Sequence, residues 1–338
     1  MKQVWITKAG QPEMLQLREA PDPLPRSGEV RLRVEAIGVN FADLLGRAGM
    51  YADAPPIPYV PGYEVAGVVE RVAQGVTNLR EGEKVFALTR FGGYSDVVCV
   101  PYKQVFPRLE WMSATDAAAL PVNYLTAYLA LVLMGALRPG NRVFIHSAAG
   151  GVGLAVLDIC RIVGAEAYGT AAPAKHDLLR QKGLLHPIDS HDTDYELAVR
   201  ELMGDAGFHV VLDLLGGAHW QKNYRLLAPT GRLVHVGVSS LLPGKRRSLL
   251  HVARALLSTP FYTPLRLMRA NKGVAGVNLG HLWEQPEMVR EWMAQIIQWY
   301  DEALFRPTID QTFPLAQAAD AHHYLHARRN VGKLLLTP

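Results

Sequence analysis

The chain changes texture near Pro121. From Val4 to Val100 the apolar positions come in short alternating runs, such as Val30-Arg31-Leu32-Arg33-Val34 and Val65-Ala66-Gly67-Val68-Val69, separated by Pro- and Gly-rich turns. Alternation with a period of two predicts half-buried β-strands. Ala54-Pro55-Pro56-Ile57-Pro58 predicts irregular backbone, because each proline lacks an N–H and restricts its predecessor. After Pro121 the pattern predicts a helix over 123–135, then strands at 142–147, 165–170, 210–214 and 232–238 interleaved with helices at 151–163, 176–182 and 220–227. That alternation predicts a parallel sheet with crossover helices. A further helix is expected over 286–304, and a short last β/α unit ends in Lys333-Leu334-Leu335-Leu336. The layout is therefore α/β. Residues 1–122 and 305–338 are expected to form one mainly-β domain, with a doubly wound parallel-sheet domain, 123–304, inserted into it.

The first strand–helix junction of the inserted part reads Arg142-Val143-Phe144-Ile145-His146-Ser147-Ala148-Ala149-Gly150-Gly151-Val152-Gly153-Leu154-Ala155. An apolar strand, a turn of small residues and an amphipathic helix follow in sequence. A dinucleotide pyrophosphate needs backbone amides at a helix N-terminus and close approach of the main chain, which bulky side chains prevent. Gly150, Gly151 and Gly153 supply that geometry in the spacing A-A-G-G-V-G; glycines also mark ordinary tight turns.

The end of the next strand bears on which dinucleotide. NAD sites place an acid about 20 residues on, against the ribose 2′-hydroxyl. The run Ala165 to Ala172 ends without one, Glu166 falls at its start, and Lys175 follows directly. A carboxylate there would repel a 2′-phosphate and an ammonium would attract it, so NADPH is expected. The alternative is that Lys175 only opens the next helix at the surface.

Length and composition fit this picture. A chain of 338 residues exceeds one ordinary core, and 49% hydrophobic with 20% charged residues is a soluble balance. No apolar run approaches the roughly 20 residues that span a bilayer, and the N-terminus reads as lacking a signal peptide. The two cysteines, Cys99 and Cys160, lie far apart and read as buried free thiols, which suits a reducing cytoplasm and excludes a structural thiolate zinc lobe. Net charge is +4 but unevenly spread. From Leu214 to Trp283 there is no acidic residue, while Lys222, Arg225, Arg232, Lys245, Arg246, Arg247, Arg254, Arg266, Arg269 and Lys272 all fall there. Such a stretch either favours an anionic ligand or surface, or is a solvated basic face.

Gly38-Val39-Asn40-Phe41-Ala42-Asp43, Arg47-Ala48-Gly49-Met50-Tyr51, Pro61-Gly62-Tyr63-Glu64-Val65-Ala66-Gly67 and Asn330-Val331-Gly332-Lys333, together with the glycine turn, resemble the zinc-independent medium-chain dehydrogenase/reductase superfamily in its quinone oxidoreductase branch. His186-Pro187-Ile188-Asp189, Leu241 to Arg246 and Arg269-Ala270-Asn271 look most like its vesicle amine transport protein homologues. The resemblance spans essentially the whole chain. It implies a Rossmann domain inserted into a GroES-like catalytic domain, and a homodimer formed through an edge strand near Gly273–Gly280.

Zinc-dependent members of the superfamily carry a cysteine where this chain has Asn40 and a histidine where it has Tyr63. A neutral amide and a phenol are poor zinc ligands, and Glu64 alone cannot hold the ion, so no metal is expected. His322 and His326 share a helical face, but without a partner motif these and His323 are expected to be exposed helix residues. The resemblance places Asn40, Asp43 and Tyr51 around the nicotinamide and substrate cleft, with Asn40 a neutral donor and Tyr51 the donor to an oxyanion; their alternatives are a turn cap, a helix cap and pocket packing. Leu45 stands where many quinone oxidoreductases have a tyrosine. Cofactor contacts implied by the resemblance are Thr126, Gly150, Gly151, Val152, Gly153, Lys175, Ser190, Val236, Gly237, Val238, Arg328 and Asn330. The implied activity is NADPH-dependent reduction of a quinone or α,β-unsaturated carbonyl compound, with no nucleic-acid partner. The alternative is an NADPH-binding module of little turnover that meets a membrane, a carrier-linked substrate or a protein through the basic 241–272 stretch, where Leu249, Leu250, Val252 and Leu256 fit an amphipathic helix.

Overall fold

The computed structural model describes residues 1–191, 194–239 and 259–338. It divides into two compact units, Met1–Leu125 with Leu279–Pro338, and Thr126–Asn278. The first opens with the antiparallel pair β1 (Lys2–Ile6) and β2 (Leu15–Glu19), followed by β3 (Glu29–Val39), β4 (Glu64–Val72), β5 (Lys84–Leu88), β6 (Val97–Pro101) and β7 (Val105–Pro107). Along β3, Val30, Leu32 and Val34 are buried and alternate with Arg31, Arg33 and Glu35. From Ala36 onward every residue is covered. The strand thus enters the core as it approaches Asn40. Each fully buried Val, Leu or Ile contributes about 1.5–3 kcal/mol relative to exposure.

The second unit carries β8 (Arg142–Ile145), β9 (Glu166–Ala171), β10 (Leu184–Asp189), β11 (Phe208–Asp213), β12 (Leu227–His235) and β13 (Gly273–Gly276). All are parallel, in the order β10-β9-β8-β11-β12-β13. This is the doubly wound order. The direction of winding reverses between β8 and β11, where ligands of such sheets bind beyond the carboxyl ends of the strands. The continuous apolar runs of β8 and β11 reflect a sheet covered on both faces. The chain then returns to the first unit with β14 (Ile309–Pro314) and β15 (Lys333–Thr337), completing a seven-stranded sheet, β14-β15-β3-β4-β5-β7 with β6 also on β3.

Three boundaries differ from those expected. The helix placed at 123–135 begins at Pro121, and its last part, Leu129–Met134, is wound wide, with the Gly135 N–H on the Ala130 carbonyl. The strand expected over 232–238 starts at Leu227 and leaves the ladder after His235. Val236 and Gly237 instead give their N–H groups to the Asp213 carbonyl, so 236–238 is a loop. The helix Pro286–Asp301, assigned to the inserted domain, packs in the mainly-β unit, which moves that boundary from 304 to Asn278. Trp111 stacks on Tyr300 with centroids 4.9 Å apart, and Arg290 donates to the Val105 carbonyl at 2.8 Å. Periodicity identified the helix but carries no information about which sheet its apolar face covers. Among the described residues no helix is long and apolar enough to cross a membrane.

Candidate functional site

In the parallel-sheet unit the polypeptide leaves β8 through His146, which is fully buried. Its Nε2 lies 2.9 Å from Asn223 Oδ1 and its Nδ1 3.2 Å from Thr170 Oγ1. An amide oxygen only accepts, so Nε2 carries the proton and Nδ1 accepts from the threonine hydroxyl. Burial pushes the imidazole pKa down to about 4, keeping the ring neutral.

Ser147 then adopts a left-handed conformation, φ 56°, and the Ala148 N–H ties the turn to the Thr170 carbonyl at 2.9 Å. Gly150 precedes the helix Gly151–Val163. A Cβ on Gly153 would lie 2.4 Å from the Ala148 oxygen, so turn and helix meet backbone to backbone at that point. The first N–H groups of a helix have no acceptor within it. Here they belong to small, half-buried residues, Gly151 and Val152 among them, beyond the end of β8.

Two other expected cofactor residues of this unit, Lys175 and Ser190, lie at the same edge. Lys175 closes the short turn Pro173–Lys175 after β9 and is half-buried. Ser190 is exposed just after β10, its N–H on the Ala171 carbonyl at 2.9 Å. Glu166 stands at the opposite end of β9, where it accepts from the Tyr168 hydroxyl. Thr126 is buried in the helix Pro121–Tyr128.

Asp213, fully buried at the end of β11, is a residue that pattern reading missed. Its main-chain oxygen holds Val236 and Gly237, and its Oδ1 accepts from the Leu215 and Gly216 amides at 2.8 and 3.0 Å. It therefore ties together the loops after β11 and β12. Burial pushes its carboxyl up, but His235 and these amides outweigh that and hold it below the ordinary value.

In the mainly-β unit, β3 delivers Asn40 to the start of the helix Phe41–Arg47. The Asn40 N–H donates to Asp43 Oδ2 at 2.8 Å, and Asp43 also accepts from the Gly62 N–H at 3.0 Å and the Tyr94 hydroxyl at 3.3 Å. Asp43 is fully buried, and burial, only partly offset by these donors and Lys333, pushes its pKa up to about 7. The structure thus places it inside the unit as a helix-capping anchor. Asn40 is likewise engaged. Its Nδ2 donates to Glu64 Oε1 at 2.8 Å, and its Oδ1 accepts from Lys333 Nζ at 2.6 Å. Lys333 also bonds Glu64 Oε1, and Glu64 Oε2 accepts from the Val122 N–H at 2.7 Å.

Tyr51 is half-buried, edge-on to Tyr63 at 6.1 Å between centroids. Phe91 continues the aromatic wall, 5.3 Å from Tyr63 and 5.5 Å from Tyr59. Burial, with the charges of Asp53 and Asp43, raises the Tyr51 phenol pKa, so it is a proton-bearing donor at neutral pH. Leu45 is buried and offers no polar atom. Asn330 turns its amide onto the Gly332 carbonyl at 2.8 Å, within the bend that leads to Lys333, and Arg328 is exposed with φ 55°.

His322 corrects the expectation of an exposed helix residue. It is fully buried, with Nδ1 accepting from Arg47 Nε at 3.3 Å and Nε2 3.0 Å from the Tyr94 oxygen. Burial, and then the Arg47 charge, pushes its pKa down to about 3. Arg47, His322, Tyr94 and Asp43 form one buried chain of polar contacts that satisfies each member. His323 is exposed and bonds Glu13, as surface histidines do.

A doubly wound sheet with a small-residue turn at its switch point, returned by the chain to a mainly-β unit, defines a class of two-domain oxidoreductase. The chain belongs to the medium-chain dehydrogenase/reductase superfamily, in its quinone oxidoreductase-like branch. Residues 26–110 match the Alcohol dehydrogenase GroES-like domain family, and residues 182–336 match the Zinc-binding dehydrogenase family. The sequence is 42% identical over 325 residues to the Synaptic vesicle membrane protein VAT-1 homolog of Rattus norvegicus, covering 96% of this chain and 80% of that protein. Escherichia coli quinone oxidoreductase complexed with NADPH is similar in structure, with TM-score 0.87 at 26% identity and 100% of both chains covered. CurK enoyl reductase gives 0.84 at 25% identity, covering 99% of this chain and 98% of that one. The zinc that one family description implies does not fit the residues present. Asn40 is a neutral amide with both ends engaged, burial holds the Tyr63 phenol protonated, and Lys333 brings a positive charge against Glu64.

Proposed function

We propose that the protein is an NADPH-dependent, zinc-independent reductase of quinones or α,β-unsaturated carbonyl compounds. The observation that carries this is the turn Ser147–Gly153, where a Cβ on Gly153 would fill the backbone-lined step between turn and helix. The residues that would hold the dinucleotide there are Gly150, Gly151, Val152 and Gly153, with Lys175 and Ser190 toward the 2′-phosphate and Val236, Gly237 and Val238 on the loop that Asp213 fixes. Thr126, Arg328 and Asn330 are carried by resemblance. NADPH, when bound, supplies a hydride.

Without a Lewis acid, negative charge developing on the substrate oxygen has only hydrogen bonds to meet it. A conjugated enone or quinone spreads that charge and so needs less from the protein. Tyr51 is the candidate donor to the oxygen, since its phenol keeps its proton. The relatives solved as quinone and enoyl reductases support the same substrate classes. NADPH oxidation should appear with members of a small quinone and enone panel and be weaker with NADH; silence across the panel would overturn the reading.

A second reading, a cofactor-binding module that meets an anionic membrane, is favoured by one described feature. Phe261, Leu265 and Met268 are 82%, 65% and 70% exposed on or beside the helix Pro264–Ala270, among Arg266, Arg269 and Lys272. The rest of the basic stretch, including Arg246, Arg247, Arg254 and the apolar run Leu249–Leu257, lies outside the described residues. A homodimer through β13, the outer strand of the parallel sheet, and a cytoplasmic location in keeping with the free thiols complete the proposal.

A further inference from the structure

Asn40, Glu64 and Lys333, widely separated in sequence, close a ring of hydrogen bonds inside the mainly-β unit. Lys333 and Glu64 are an ion pair with 3% and 0% of their side chains exposed, which makes the ring almost wholly dry. Lys333 grips Asn40 Oδ1, Glu64 grips one N–H of Asn40 Nδ2, and the two charges bond each other. The assembly is rigid. Glu64 Oε2 is fixed by the Val122 amide, and a Cβ on Gly38 would lie 2.3 Å from Glu64 Oε1, so only glycine leaves room for the carboxylate.

We propose that Lys333, which polarises the Asn40 amide, and Glu64, which orients it, are positioning residues that make Asn40 a neutral donor, in addition to Tyr51, to the negative charge developing on the substrate oxygen. This rests on the reductase reading given above. An ammonium on the amide oxygen favours the charge-separated form of the amide, with negative oxygen and positive nitrogen, while the Glu64 carboxylate on one amide N–H fixes the plane of the group. In low dielectric the bond from Lys333 to the oxygen is relayed through the amide and strengthens the donor that remains. That donor is the second N–H of Nδ2, whose one contact among the described residues is a long 3.5 Å approach to the Gly38 carbonyl. Stability is a poor explanation for the pair. Taking two charges out of water offsets most of their attraction, and well-packed apolar replacements of buried pairs are often harmless to folding. Lys333, its charge balanced by Glu64, thus acts on the site through an amide.

The test is the near-isosteric neutral pair, Lys333→Gln with Glu64→Gln, which leaves no unpaired buried charge. The expected result is a kcat for NADPH-dependent quinone or enone reduction lower by about tenfold or more, with thermal unfolding and the KM for NADPH nearly unchanged. In isotope-labelled protein the Asn40 side-chain amide proton, far downfield in the wild type, moves upfield in the double variant. Lys333→Arg, which keeps the cation, retains most of the turnover and the downfield shift. An unchanged kcat, or an Asn40 amide resonance at the same place in wild type and double variant, overturns the clamp. A wild type that reduces no quinone or enone overturns the reductase reading instead, and the amide shift still decides whether the clamp polarises Asn40.

Discussion

Replacing Gly153 by alanine places a methyl carbon 2.4 Å from the Ala148 oxygen, 2.6 Å from the Ala148 carbonyl carbon and 2.7 Å from the Ser147 oxygen. Ordinary contact begins at 3.4 Å, so the helix Gly151–Val163 must withdraw from the turn by roughly an ångström. None of the three atoms is a flexible side-chain end that could swing away. Overpacking of this kind costs about 1–3 kcal/mol. If that strain falls on the amides that receive the pyrophosphate, NADPH affinity drops by a factor of about 5 to 150. Gly276→Ala, in β13, is the control. Among the described residues no atom lies within 4 Å of the added carbon and its backbone is not left-handed, so it should bind nearly as the wild type does. The assay is calorimetric titration with NADPH, run beside thermal denaturation so that lost affinity is separated from lost stability. A Gly153→Ala protein that is folded and binds NADPH as tightly as the wild type would refute the placement of the phosphate at this turn.

Other outcomes follow from the same structure. His146 has its pKa depressed from 6.5 to about 4 by burial, so the stabilisation from its neutral form is whole above pH 6.5 and is lost as pH falls through the folded value. Urea unfolding of the nucleotide unit should lose about 3 kcal/mol over that window, and His146→Gln should flatten the loss; an unaltered slope removes His146 as its cause. In the mainly-β unit His322 acts in the same sense, but Asp43, raised to about 7, has the opposite sign, its stabilisation being whole below pH 3.8 and lost as pH rises. That unit should therefore be the less acid-sensitive of the two in limited proteolysis across the same pH range. Lys175→Glu should raise the KM for NADPH by about tenfold or more, a loss of about 1.4 kcal/mol, and leave NADH nearly unaffected; equal effects on both cofactors would place Lys175 away from the 2′-phosphate. Co-sedimentation with anionic vesicles should be salt-sensitive and lost in Leu265→Glu with Met268→Glu, whereas wild-type protein that stays in the supernatant at low salt would retire the membrane reading.

How much of this was legible beforehand follows the range of the forces involved. The parallel sheet and its glycine turn were readable because β8 and β11 carry uninterrupted apolar stretches and because Gly150, Gly151 and Gly153 sit between one such stretch and a helix. Local chemistry left those marks in consecutive residues. The helix Pro286–Asp301 was recognised by its periodicity, yet its partners, Val105, Trp111 and Asp116, lie far away in sequence and nothing in a single chain announces them. The burial of His322 was hidden for the same reason, since Arg47 is 275 positions away. Lys333 is the instructive case. Its signal was present as a lone charge opening the apolar strand Lys-Leu-Leu-Leu, but its meaning depends on Glu64, 269 positions earlier. Asn40 and Asp43 were read as cleft residues, with a turn cap and a helix cap as the alternatives; the direction of their polar atoms is set by Glu64, Lys333, Gly62 and Tyr94, all distant in sequence.

Hydride transfer from NADPH seated at Ser147–Gly153, without a metal, is the central proposal. The most direct measurement supplies NADPH deuterated at C4 of the nicotinamide, with a reactive enone and a metal chelator present, and follows the label into product. Deuterium at the β-carbon of the saturated carbonyl, at a rate unaffected by the chelator, is the predicted result. Cofactor that remains unoxidised with every enone and quinone offered, or turnover that stops on chelation and returns with added zinc, would contradict it.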